Sequence, residues 1–514
     1  MVGVEEWYDG CTVFVTGGTG FMGKVLLEKL LRSLPGLKRI YVLIRPKRDV
    51  PPEKRLDAML NLPVFDRLRQ ENKSSIKKLV AVEGDVLLPE LGLKQEVRDA
   101  LLSEVSIVFH CAASLRLEAE LKPSVQHNTT GTHRVLQLCL AMENLKSVVH
   151  LSTAFCHCEQ EVLYEHLYRA SANPHDVMRL VEWLDEDSLR AITPKLLGPH
   201  PNCYTYSKRL AESLVKEQEG KLPVTVVRPT IVSPALKEPL PGWVDTLNGP
   251  VGLLVGAGKG VIRSMLCHPE YTAELVPVDI AINAMITIAW DTGVRRSELD
   301  EIPVYNVSAG QVIQLSWGDV VERGRKIVYE NPFELAVWYP DGNIHTNRLI
   351  HKLCVIFLHI VPAYILDFLL LLARQKRFMV RLQRRISIGL EVLQYFTMRP
   401  WYFDTTEAQR VGTRMTSKEL EKFYIANVEY NVNDYMRDCI LGARQYVVKE
   451  PLSSIPRARI TLKMLYLLDR LTKLVTIGFI LYFALQHLET ATYALDYIVS
   501  RLHTFPIIRA VTHT

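Results

Sequence analysis

Between Thr12 and Val227 two apolar periods alternate along the chain. Short runs of strand length, Thr12 to Val15, Arg39 to Ile44, Leu79 to Glu83, Val105 to His110, Ser147 to Ser152 and Val224 to Val227, are separated by stretches compatible with helix. Directly after the first run, Val25, Leu26, Leu30, Leu31 and Leu34 recur at helical spacing. Strands alternating with helices predict an α/β protein built on a Rossmann-type, doubly wound parallel sheet. Farther on the pattern changes, with continuous apolar segments at Leu353 to Ala373 and Leu474 to Leu485.

The first strand and helix are joined by CTVFVTGGTGFMG, Cys11 to Gly23. Gly17 allows a tight turn, Gly20 lets backbone approach a pyrophosphate, and Gly23 lets helix and strand pack closely, while the helix N-terminus offers amide donors. A dinucleotide is therefore expected against Thr16, Gly17, Gly18, Thr19, Gly20, Phe21, Met22 and Gly23. An enzyme using NAD places a carboxylate at the end of the second strand for the ribose 2′-hydroxyl. Here Arg45 stands there, followed by Lys47 and Arg48. A guanidinium clamps a 2′-phosphate that a carboxylate repels, so the expected cofactor is NADPH. Asp85, with Val86 beside it, follows the third strand, either as an acceptor for the adenine amino group or as an Asx-type turn residue. Cys111, Ala112 and Ala113 are small enough for backbone to lie against the cofactor.

Composition adds bounds. At 514 residues the chain calls for two or three domains, and a net charge of +5 gives no argument for nucleic acid. Nine scattered cysteines and a folded-domain motif at the N-terminus point to a reducing compartment. Cys156 and Cys158 bracket His157 but lack a second ligand pair, so no metal is expected.

Tyr204 and Lys208 are four apart in a helical stretch and share one face. A phenol titrates near roughly 10, and a neighbouring ammonium favours its charged form. Ser152 and Thr153 end the fifth strand at the carboxyl edge, where a hydroxyl can bond the oxygen on which charge develops. Asn128 is placed to hold a water that relays protons through the lysine. Arg228 and Pro229 complete the expected cofactor set.

At these residues the chain resembles the extended short-chain dehydrogenase/reductases. The run VRPTIVSPALKEPLPGWVDTLNGPVGLLVGAGK, Val227 to Lys259, together with LSTAFCHC and PNCYTYSKRLAE, resembles the fatty acyl-CoA reductases. The likeness includes a tail between about Leu353 and Glu450. Thr405, Asn431 and Val432 depart from the family's usual Asn, Asp and Trp. The resemblance implies reduction of a long-chain fatty acyl-CoA to a primary alcohol with two NADPH. Three regions are expected: residues 1–330 as the NADP-binding reductase domain with the substrate region, 331–455 as a helical C-terminal domain similar to that of the family, and 456–514 as a hydrophobic membrane-anchor region. A hydroxysteroid dehydrogenase, a sugar-nucleotide epimerase, or a non-catalytic NADP-binding scaffold would share the glycine loop.

Leu353 to Ala373 is long enough to cross a hydrocarbon core of roughly 30 Å, but Asp367 would cost on the order of 3 kcal/mol near its middle and Pro362 breaks a helical bond. Arg374, Lys376, Arg377, Arg381, Arg384 and Arg385 follow, favouring an anionic cytosolic surface. The segment is read as in-plane or re-entrant, as the wall of an acyl tunnel, or as a buried core helix. Arg470 and Lys473 precede Leu474 to Leu485, which reaches spanning length only with Gln486 to Leu488 and is expected to anchor the chain. Membrane lipid is thus a partner, at the endoplasmic reticulum or the peroxisome, with the catalytic domain facing the cytosol. The final Thr512, His513 and Thr514 are not a peroxisomal tripeptide.

Overall fold

The computed structural model describes residues 2–47, 50–170, 172–310, 314–425 and 428–503. Arg48 and the C-terminal tripeptide lie outside them. Seven strands form the main sheet: β1 (Thr12–Thr16), β2 (Arg39–Ile44), β3 (Leu79–Glu83), β4 (Ile107–His110), β5 (Ser147–Leu151), β6 (Val224–Pro229) and β7 (Val304–Val307). Their spatial order is β7-β6-β5-β4-β1-β2-β3, and every neighbouring pair is parallel. The chain reverses its direction of travel between β1 and β4. The glycine turn leaves β1 at that switch point, where open parallel sheets bind ligands.

Both faces of the sheet are covered, and β1 shows how. Val13 and Val15 point into a core shared with Leu26 and Leu30 of α1 (Phe21–Ser33) and with Ile282 and Met285 of the buried helix Val278–Val294. Phe14 points the other way, into a core shared with Tyr206, Leu210 and Leu214 of α2 (Cys203–Lys216). The alternation is the period-two geometry of a strand, and burial on both sides is why the runs read as unbroken apolar segments. β6 extends two residues past the apolar run to Pro229. β7 was not among the expected strands. It has only four residues, and Asn306 in it bonds the Leu163 and Asp404 carbonyls, so a polar side chain interrupts what periodicity would detect.

Beyond the sheet lie α3 (Arg348–Leu372), α4 (Met379–Thr397), α5 (Val432–Gly442) and α6 (Ile455–His503). Asn431 caps α5 by accepting from Asn433 and Asp434, and Tyr435 of that helix bonds Ser233 at 2.7 Å and the Pro234 carbonyl at 2.8 Å. Neither apolar segment is a core helix. One face of α3 is pinned down: His359 Nε2 accepts from the amides of Arg263 and Ser264, and Asp367 accepts from those of Phe378, Met379 and Val380. Its other face is bare, with Phe357, Tyr364, Phe368 and Leu372 all more than half exposed. Asp367, expected as a penalty against spanning, is thus a buried cap for the start of α4. In α6, Ala458, Leu462 and Asp469 pack on the body, whereas every side chain from Leu474 to His487 is exposed. Among the described residues α3 is the one helix long and apolar enough to cross a membrane.

Candidate active site

The carboxyl ends of β1, β4, β5 and β6 open on a cavity of about 720 Å³. The glycine turn forms its floor. Gly17 has φ +74°, and a Cβ there would lie 2.6 Å from the Cys111 carbonyl carbon; a Cβ on Gly23 would lie 2.3 Å from the Gly17 oxygen. Gly20 precedes α1 and no side chain caps the helix, so first-turn amides are left for an anion. This is a cradle only glycines permit, and it fits a dinucleotide pyrophosphate. Gly17, Thr19, Gly20, Phe21, Met22 and Gly23 line the cavity, whereas Thr16 and Gly18 stand behind it. Thr16 bonds His110 Nδ1 at 2.7 Å and accepts from the Ala112 amide, and Gly18 abuts Val42.

Arg45, Asp85, Val86, Cys111, Ala112 and Ala113 also line the cavity. Arg45 is largely exposed, 3.8 Å from Asp85. Asp85 accepts from the Leu87 amide at 3.1 Å, so one of its oxygens closes an Asx-type turn at the cavity edge. Lys47 is not part of the lining. A second guanidinium is: Arg55, on the helix Pro52–Leu60, bonds the Arg45 carbonyl and faces the same space. Its separation from β2 gives sequence reasoning no handle, because only the fold of the intervening loop returns it to the strand end.

Tyr204 and Lys208 occupy the first two turns of α2, whose start is fixed by Asn202 accepting from the Thr205 amide. Both line the cavity with Ser152 and Thr153. Burial pushes the Tyr204 phenol well above its ordinary value, the Cys156 thiol adds to this, and a hydrogen bond with Thr153 opposes it. Burial lowers Lys208 to about 8 against the pull of Glu212, while its Nζ donates to the Leu151 carbonyl at 2.6 Å. The two expected hydroxyls are thereby distinguished. Thr153 meets Tyr204, while the Ser152 hydroxyl donates to Glu212 at 2.5 Å. Asn128 does not reach the lining. In the turn Gln126–Thr130 it accepts from the Ser114 amide and donates to the Ser114 carbonyl and the Ser207 hydroxyl, bracing the loop after β4.

Two family models, both described as male sterility protein, match residues 15–285 and 358–450. The chain is 36% identical over 459 residues to fatty acyl-CoA reductase 1 of Gallus gallus and of Homo sapiens, covering 89% of each chain. The chain belongs to the fatty acyl-CoA reductase family. Fatty acyl-CoA reductase 2 of Bos taurus is 34% identical over 462 residues, 90% of this chain and 89% of that one. Among solved structures, the reductase domain of a nonribosomal peptide synthetase from Mycobacterium tuberculosis superposes with a TM-score of 0.54 at 17% identity, over 84% of this chain and 91% of that one. The terminal reductase domain of the myxalamid pathway gives 0.53 at 17%, over 86% and 93%. At this identity these two show a shared fold.

In this member of the fatty acyl-CoA reductase family a buried network that sequence reasoning missed lies behind the Tyr204 and Lys208 face of α2. Glu212, one turn beyond Lys208, takes Arg228 Nε at 2.9 Å and Nη2 at 2.6 Å, His157 Nε2 at 2.9 Å, and the Ser152 hydroxyl. Arg228, expected at the cofactor, does not line the cavity: its guanidinium is wholly buried against Glu212 and the carbonyls of Tyr164 and His166. Pro229, next to it, does line the cavity. Donor atoms of Cys156, His157 and Glu212 lie within 4.8 Å of one another, but the bidentate guanidinium holds the place and charge a metal would need. The detectable signal was the spacing of Tyr204, Lys208 and Glu212, four apart twice, which puts all three on one helix face.

Proposed function

We propose that the protein reduces long-chain fatty acyl-CoA to the primary alcohol and CoA, using two NADPH. What carries the reading is the 36% identity to fatty acyl-CoA reductase 1 over 89% of the chain, with Tyr204, Lys208 and Thr153 together on one cavity wall. A bound nicotinamide supplies hydride. The protein's part begins when charge develops on the thioester oxygen, which Tyr204 and Thr153 stabilise by hydrogen bonds in a desolvated setting. Collapse of the tetrahedral species expels the CoA thiolate and leaves an aldehyde. In the second reduction Tyr204 gives its proton to the alkoxide, and Lys208 stabilises the resulting phenolate and helps return a proton to it. The sum is one acyl-CoA, two NADPH and two protons consumed, and one alcohol, one CoA and two NADP⁺ formed.

NADPH is favoured over NADH because Arg45 and Arg55 both face the adenosine end of the cavity, where the only difference between the cofactors is a phosphate. The exposed apolar stretch from Leu474 to His487 supports attachment to an intracellular membrane, endoplasmic reticulum or peroxisome, with the catalytic part in the cytosol. The reductase region 1–330, the helical region 331–455 and the anchor region 456–514 are the corresponding divisions. The test is NADPH oxidation by the membrane-bound protein with palmitoyl-CoA, a hydroxysteroid's ketone and a sugar nucleotide, with products separated by chromatography. Hexadecanol from palmitoyl-CoA alone is the expected outcome. Turnover of the steroid or sugar without hexadecanol refutes the reading.

A further inference from the structure

Helix α4 connects two different surfaces. Leu393, Phe396 and Thr397 near its C-terminal end line the active-site cavity, with Phe396 packed edge-on against Phe155 at 5.4 Å. At its other end lie the Asp367 cap and the exposed cations Arg377, Arg381, Arg384 and Arg385. Between these ends, Leu382, Ile386, Gly389, Leu393 and Phe396 succeed one another at alternating steps of four and three. That spacing puts them on one face of the helix, a stripe about 21 Å long, comparable with an extended palmitoyl chain. Gly389 interrupts it with a notch, since nothing lies within 4 Å of where its Cβ would stand.

The bare face of α3 lies beside the basic end of this stripe. Its exposed Phe357, Tyr364, Ile365, Phe368, Leu369 and Leu372 are more contiguous apolar surface than a protein surrounded by water leaves open. The opposite face is tied to the protein body through His359 and Asp367, so the helix offers lipid one face and holds the other on the body. An apolar face with cations at its rim matches the interfacial zone of an anionic bilayer in both hydrophobicity and charge.

Resting on the acyl-CoA reading above, we propose that α3 lies in the surface of an anionic bilayer and that the Leu382–Phe396 stripe of α4 carries the acyl chain of membrane-partitioned acyl-CoA from the bilayer into the cavity. The CoA moiety stays in water throughout. A short acyl chain fits within the cavity and needs only the Leu393–Phe396 end; a long one must also occupy the notch at Gly389.

The experiment uses full-length protein with Gly389→Trp and Gly389→Leu filling the notch, and Gly389→Ala as the small control. Each is assayed with palmitoyl-CoA and octanoyl-CoA. The expected result is a fall of at least ten-fold in the palmitoyl-to-octanoyl ratio of kcat/KM for Trp, a smaller fall for Leu, and the wild-type ratio for Ala. Because the ratio is taken within one protein, partial misfolding does not imitate it. In a second arm, Arg381→Glu/Arg384→Glu/Arg385→Glu should lower palmitoyl-CoA turnover at least five-fold on vesicles of phosphatidylserine and phosphatidylcholine relative to phosphatidylcholine alone. An unchanged ratio in both notch-filling variants, or equal loss on the two vesicle types, overturns the proposal while leaving the acyl-CoA reading intact. A wild-type protein that reduces neither acyl-CoA overturns both.

Discussion

Replacing Glu212 by Gln tests whether the buried ion pair behind the Tyr204 and Lys208 face of α2 holds the candidate site together. Arg228 has no exposure and makes two bonds to the carboxylate, at 2.9 and 2.6 Å. A glutamine keeps the shape but offers one acceptor, and its amide group turns donors toward a guanidinium that has only donors. The variant therefore leaves a buried cation without a counter-charge, a change that costs about 3–5 kcal/mol. For a cooperative unit of roughly 300 residues, with an unfolding entropy near 2.1 cal/mol/K per residue, this lowers Tm by about 5–8 °C. Calorimetry of the membrane-extracted protein reads it directly. Adding Arg228→Met to Glu212→Gln removes the stranded charge and should recover most of the loss. Burial raises the Glu212 pKa, but Arg228 and His157 outweigh it and hold it well below the ordinary carboxylate value. Because the folded pKa is depressed, the stabilisation is complete above the unfolded value near 4.3 and is lost only as pH falls through the folded one. A Glu212→Gln protein melting within about 1 °C of wild type at neutral pH would refute the reasoning.

Tyr204→Phe should lower alcohol formation by at least about 10²-fold while NADPH still quenches protein fluorescence with near wild-type affinity, since one proton donor is lost and little volume. Arg45→Asp/Arg55→Gln should shift the NADPH-to-NADH ratio of kcat/KM toward NADH by about 10–100-fold, the size of one or two charge-assisted bonds; an unchanged ratio would place the 2′-phosphate elsewhere. The rate should decline as pH rises past about 8, where Lys208, its pKa lowered by burial, loses its proton, and Glu212→Gln should move that limb to lower pH because Glu212 is the largest influence raising it. Removing everything after Arg470 should leave protein that high salt partly extracts from membranes, whereas the full chain needs detergent, because attraction to anionic lipid decays over about 8 Å at physiological ionic strength.

The sheet was legible because its strands are buried on both faces, so Val13, Phe14 and Val15 are all apolar although they point to opposite cores. That Tyr204 and Lys208 share the cavity was legible because a helix places them together at fixed spacing. What escaped depends on long-range closure. Arg55 joins Arg45 only through the loop after β2, and Asn306 makes β7 look polar although its side-chain amide nitrogen donates to two carbonyls inside. Three expected residues that lie outside the cavity lining share one physical cause as well. Thr16, Asn128 and Arg228 stand next to cavity residues, and adjacency along a strand or turn does not say which way a side chain points. Asp367 illustrates the converse: a charge that looks costly inside an apolar segment becomes a cap once the helix after it folds back.

Burial explains why Tyr204 and Lys208, in the roles proposed for them, suit a reduction rather than a hydrolysis. It raises Tyr204 and lowers Lys208, so both shifts favour the uncharged forms, and the phenol keeps its proton until a strongly basic oxygen appears beside it. Water would supply such a proton indiscriminately and would also compete for the thioester. In the proposed mechanism the proton would move only when hydride transfer has made an alkoxide. Lys208 must nevertheless remain able to bear charge at that moment, and a lysine this buried would drift further toward neutrality on its own. Glu212, fixed in place by Arg228 and one helical turn away, is the counter-charge that limits the drift. In the proposed mechanism the ion pair behind the helix and the phenol in front of it are therefore one electrostatic device: the first keeps Lys208 near the edge of protonation, and the second would use it.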